Sequence, residues 1–95
     1  MISYTARYKF LDGGVVHAEV VDFPGVVSCA DSLDAARRMV QSALVDLAEL
    51  ALESGEALPL PGRNQSDLDG DLDEPVHLLL TATRKVVEVP ESSAA

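Results

Sequence analysis

Ser3-Tyr4-Thr5-Ala6-Arg7-Tyr8-Lys9-Phe10-Leu11-Asp12-Gly13-Gly14-Val15-Val16-His17-Ala18-Glu19-Val20-Val21-Asp22 is the stretch that decides the fold. Tyr4, Ala6, Tyr8 and Phe10 alternate with Ser3, Thr5, Arg7 and Lys9. That period of two describes a strand over 3–11 with one buried face and one wet face. Asp12-Gly13-Gly14 interrupts it. Glycine takes positive φ without steric cost, so the tripeptide reads as a tight turn. Val15 to Asp22 resumes the alternation, with Val16, Ala18 and Val20 on one side and His17 and Glu19 on the other. The two segments predict an antiparallel hairpin.

Outward from the hairpin, Asp22-Phe23-Pro24-Gly25 ends the second strand, because proline removes a ladder donor and glycine permits a turn. Val26-Val27-Ser28-Cys29-Ala30 predicts a short third strand, which completes a meander. Asp31-Ser32 opens a helix, with Asp31 as the expected cap and Asp34 in the place of a capping-box acid. Leu33, Ala36, Val40, Ala43, Leu44, Leu47, Leu50 and Ala51 recur at spacings of three and four, an amphipathic stripe. Leu44 and Leu47 are expected deepest, against Tyr8, Val16, Ala18 or Val20. Gly55 suits the left-handed residue that ends a helix, and Pro59 and Pro61 forbid its continuation. Residues 62–75 carry no apolar pattern and read as an acidic loop. Val76 to Val89 predicts a last strand whose first half is covered on both faces, and 90–95 a frayed tail. The class is α+β, in one domain spanning 1–95.

Bulk composition narrows the function classes. The chain has 95 residues, seven Lys and Arg against sixteen Asp and Glu, and a formal charge of −9. Nucleic-acid binders carry a basic patch, and the longest basic runs here are the pairs Arg37-Arg38 and Arg84-Lys85. No direct nucleic-acid contact is therefore expected. Acidity suits solubility or electrostatic steering toward a basic protein. The N-terminus lacks the basic and apolar regions of a signal peptide, and no apolar run approaches bilayer length. A cytoplasmic location without membrane contact is expected. A domain this short buries only about 60–70% of its unfolded surface. Self-association, as a homodimer or homotetramer, is a natural remedy.

Candidate sites are few. Asp67, Asp69, Asp71 and Asp73 alternate, but a calcium loop begun at Asp67 would need Gly and Glu where Leu72 and Leu78 stand. Metal binding is not expected. Two-metal nuclease chemistry needs converging carboxylates, and Glu19, Asp22 and Glu88 are spread over a wet face, a turn and a distant strand end. His17 and His77 lack a positioned partner for acid–base work. Cys29, the one cysteine, reads as a small buried apolar residue. No cofactor loop is present, and no catalytic residue is assigned.

Taken in order, Tyr4-Thr5-Ala6-Arg7-Tyr8, Asp12-Gly13-Gly14, Val20-Val21-Asp22-Phe23-Pro24-Gly25, Asp31-Ser32-Leu33-Asp34-Ala35-Ala36 and Leu58-Pro59-Leu60-Pro61 resemble the HicB antitoxin family of toxin–antitoxin systems. The resemblance covers about residues 3–61. It implies a partial RNase-H-like fold that lacks the nuclease carboxylates. It also implies a partner, HicA, a small basic ribonuclease that family members neutralise. Many members carry a further DNA-binding domain. This chain shows none before Ala95, so direct operator binding is not expected. Val26 stands where the family has Cys after the Pro-Gly turn, and the loop 62–75 looks like an insertion. The expected function is thus a non-enzymatic antitoxin module. In it Asp22, Phe23, Pro24 and Gly25 form a structural turn, and Asp69, Asp71 and Asp73 are candidates for steering a basic partner. An orphan self-associating module is the alternative, and an RNase-H-like hydrolase a weaker one.

Overall fold

The computed structural model describes residues 2–62 and 69–79. Strands β1 (Ile2–Phe10), β2 (Val16–Val20) and β3 (Val27–Ala30) form the meander, helix α1 (Leu33–Glu53) follows, and β4 (Leu72–Leu78) returns beside β1. The sheet order is β3-β2-β1-β4, with every pairing antiparallel. The expected α+β architecture is thus observed.

One parity rule organises the sheet. The Val21 amide donates to the Thr5 carbonyl at 2.9 Å, and the Leu11 amide to that of Val15 at 2.8 Å. In an antiparallel ladder such pairs recur at every second residue. Odd residues of β1 therefore bond to β2, and even ones turn their peptide groups to β4. Side chains alternate independently. Tyr4, Ala6, Tyr8, Val16, Ala18, Val20, Val76 and Leu78 share the buried face, where α1 lays down Ala36, Val40, Leu44 and Ala48. The other face carries Arg7 opposite Glu19 and Asp73, and Lys9 opposite His17.

The helix ends follow their sequence signals with one shift. Ser32, not Asp31, is the cap: its hydroxyl accepts from the Ala35 amide at 3.1 Å. At the other end Gly55 adopts φ 77°. The Glu56 amide reaches back to the Ala51 carbonyl and the Gly55 amide to that of Leu52, a Schellman closure. The buried line of α1 runs at strict spacings of four. Leu47 therefore lies at its side, half-buried, and Leu50 is exposed, contrary to the expected depth of the first. Phe10 lies on the inner-face parity but beyond the line of the helix, and stays 49% exposed.

Two further expectations are corrected. Ser28 and Ala30 point inward, so Cys29 pairs with His17 on the wet face and is exposed. The last strand begins at Leu72, inside the stretch read as loop, and its described part ends at Leu78. The expected extension through Val89, the residue Glu88 and the tail 90–95 lie outside the described residues. Nor is β4 covered on both faces: Asp73, Pro75 and His77 are exposed. Pro75 sits opposite Thr5, whose peptide groups serve β2, so its missing amide hydrogen costs the β1–β4 ladder nothing.

Leu44 is fully buried and Glu49 exposed. Leu44→Ala is expected to lower stability by about 2–5 kcal/mol, and Glu49→Ala to leave it nearly unchanged. Urea midpoints compare the two, and equal values would refute the helix register.

Candidate functional site

Asp-Phe-Pro-Gly, the family-like turn, is a fastening point. β2 ends at Val20, so the Thr5 amide meets no further strand carbonyl on that side. The Asp22 carboxylate takes its place: one oxygen accepts from Thr5 N at 2.9 Å, and the other from Gly62 N at 2.8 Å. Asp22 is 2% exposed. Phe23 packs edge-on against Tyr4, with ring centroids 5.3 Å apart. The Tyr4 hydroxyl donates to the Pro59 carbonyl at 2.7 Å, which holds the segment leaving the helix. Gly25 takes φ 94°, which a residue with a side chain adopts only with strain.

A second carboxylate finishes β1 at its other end. The Phe10 amide faces β4, which has already ended, and Asp71 Oδ2 accepts it at 2.8 Å. Asp73 holds Arg7 through two hydrogen bonds, at 2.8 and 3.0 Å. The guanidinium holds the Asp73 carboxyl below its usual range, chiefly through this hydrogen bond. Glu19 and Asp69 add negative charge around Arg7. The stem of Arg7 lies against the backbone of Gly70, where a β-carbon would collide with Arg7 Cγ. Of the three candidate steering acids, then, two also hold β4 to β1, and Asp69 is exposed at the rim.

A third cluster ties helix to sheet on the buried side. Arg37 clasps Glu74 at 2.7 and 3.0 Å, and the Tyr8 hydroxyl also bonds to Glu74. Glu74 is held below its usual range, mainly by its Arg37 hydrogen bond. The Tyr8 hydroxyl is pushed up to about 12, first by burial and then by the Glu74 charge. This network was not read from the sequence. Its members lie 29 to 66 positions apart in the chain, and no local pattern announces the pairing.

Both Asp22 oxygens are engaged by backbone amides, and Glu19 stands on the opposite, wet side of the sheet. The sheet does not bring them together, and Glu88 lies outside the described residues. Among the described residues no three His, Cys, Asp or Glu side chains converge as a metal site. Ser3 and His77 share a hydrogen bond of 2.7 Å on the exposed face, and among the described residues no third group orients the imidazole. No helix among the described residues is long and apolar enough to cross a membrane.

The four-stranded antiparallel sheet with one long helix on one face has counterparts among solved structures. The N-terminal domain of the antitoxin HicB from Burkholderia pseudomallei superposes with a TM-score of 0.69 at 23% identity, over 83% of this chain and 100% of that one. The HicB antitoxin of the same organism gives 0.71 at 23% identity, over 97% of this chain and 78% of that one. No family model matches the chain, and no curated protein matches it. The chain has the fold of the HicB N-terminal domain.

Asp22→Ala removes two charge-assisted hydrogen bonds from a buried site and is expected to cost about 2–4 kcal/mol. Asp69→Ala is expected to cost nothing measurable, by the same chemical denaturation assay.

The raised tyrosine makes an alkaline prediction. A phenol whose folded value exceeds its unfolded value of 10.0 favours folding below that pH and loses this contribution as pH rises toward about 12. Absorbance titration of the folded protein should therefore show no ionisation step at pH 10 for either tyrosine. Asp73 and Glu74 act at the other end. Their folded values lie below the ordinary 3.8 and 4.5, so their contribution is complete above those values and fades as pH falls through the lowered ones.

Proposed function

We propose that this chain is a HicB-like antitoxin module that binds and neutralises a small basic HicA-type ribonuclease. The observation that carries the proposal is the likeness to the HicB N-terminal domain over the whole of that domain. The charge of −9 supports a basic partner. In this proposal the chain works in the cytoplasm as one self-associating domain, with no catalysis, no cofactor and no contact of its own with nucleic acid or membrane.

The geometry refines which acids can steer. Asp73 is paired with Arg7, so that couple presents little net field. Asp71 accepts the backbone amide of Phe10, with no guanidinium on it among the described residues, and Asp69 is exposed. Asp69 and Asp71 are therefore the proposed steering pair. Affinity itself would come from apolar contact, since rim charges add mainly to the rate of encounter.

Co-expression with a small basic protein encoded beside this chain tests the proposal through growth rescue and isolation of a complex. Asp69→Asn combined with Asp71→Asn keeps an acceptor for Phe10 N. It is expected to slow association several-fold at low salt while leaving dissociation unchanged. Failure to bind any such protein would favour the orphan module.

A further inference from the structure

The end of the sheet at the β1–β2 turn carries apolar groups that the core does not use. Of the four aromatic residues, Tyr4, Tyr8 and Phe23 are buried, whereas Phe10 is 49% exposed. Leu11 and Val15 face each other across the turn, joined by the hydrogen bond from the Leu11 amide, and both are exposed. Strand alternation turns them to the face opposite Phe10. The hairpin end is therefore apolar on both faces, and contiguous exposed apolar groups mark interaction sites.

The turn also stands clear of the body. Gly13 and Gly14 take φ 79° and 83°, and a β-carbon on either would meet no atom within 4 Å. Such a projection fits a groove in its partner.

Acids surround the apolar groups. Asp12 lies in the turn itself and is exposed. Asp71 accepts the Phe10 amide at 2.8 Å, and exposed Asp69 lies two places before it. On the other side Ala30 pairs with Val16, which pairs with Phe10, so exposed Asp31 leaves β3 in the same row. Lys9 is the one cation in residues 8–16. An apolar centre inside a polar rim is the anatomy of a protein interface, and the sign of this rim selects a basic partner. A second copy of the chain would set the same acids against their own kind, and nucleic acid would set phosphates against them.

We propose, resting on the antitoxin reading above, that the β1–β2 hairpin end inserts into a groove of the small basic partner, with Phe10, Leu11 and Val15 at the centre of the contact and the four acids at its rim. The apolar residues set how long the complex lasts, and the rim sets how fast it forms.

Stopped-flow kinetics on the full chain and the small basic protein encoded beside it, purified from co-expression, provide the test. Phe10→Ala, and separately Leu11→Ser with Val15→Ser, are expected to raise the dissociation rate about tenfold or more, with association nearly unchanged. Leu52→Ser removes an apolar group of similar exposure, 50%, from the last turn of α1 and should leave both rates as they are. Wild-type rates in both hairpin variants would overturn the proposed contact while leaving the antitoxin reading standing. A wild type that does not bind the basic protein would overturn both.

Hydrogen exchange maps the contact without substitution, should a hairpin variant fail to fold. The amides of residues 11–15 should exchange more slowly in the complex than in the chain alone. Protection confined to other segments would overturn the proposal. Protection of 11–15 that grows with the concentration of the chain alone would assign the hairpin end to a second copy and overturn it as well.

Discussion

Everything in this fold depends on how β1 is finished. A central strand needs a partner for its peptide groups on both sides, and the neighbours of β1 are shorter than it is. On the β2 side the Asp22 carboxylate stands in for the missing strand at Thr5, and its second oxygen takes the Gly62 amide. One side chain thereby fixes the end of the meander and the path of the chain after the helix. On the β4 side, at the other end, Asp71 does the same for Phe10. A buried carboxylate without donors would be costly. Here the donors are backbone amides that would themselves be orphaned, so each group removes the other's penalty.

The same constraint explains why so many acids in an acidic chain are not free. Asp22 and Asp71 cap strand amides, while Asp73 and Glu74 clasp Arg7 and Arg37. Asp71, Asp73 and Glu74 are neighbours at the start of β4, but each is engaged by an amide or a guanidinium, and Glu74 lies on the helix side of the sheet, away from the other two. Two-metal chemistry draws instead on carboxylates that converge on one unoccupied point.

Legibility in the sequence followed the range of the interactions. The hairpin and the helix rest on periods of two and about four, and Tyr4, Ala6, Tyr8, Val16, Ala18 and Val20 reveal their burial within a few residues of context. β4 was missed at its start because Asp73, Glu74 and Pro75 look like loop. They are tolerated in a strand only because Arg7 and Arg37 arrive from elsewhere, and because Pro75 faces the open edge. Cys29 was misread for a smaller reason. In a strand of four residues, Val27–Ala30, the phase is set by one neighbour, and Val26, buried in the turn before it, hides that the apolar Val27 points outward. The turn at Asp22 was legible as structural, but not its partners, which lie 17 and 40 residues away.

Charge is spread unevenly over the sheet. Asp69 and Asp71 stand at the β4 border, while β3, at the far side of β1 and β2, has no ionisable side chain but a thiol, with Glu19 of β2 opposite its Val27. Asp73 is paired with Arg7, whereas Asp71 accepts the Phe10 amide and Asp69 is exposed. A basic partner of the kind proposed would therefore be drawn first to the β4 border, where the acids outnumber the guanidinium that pairs with them.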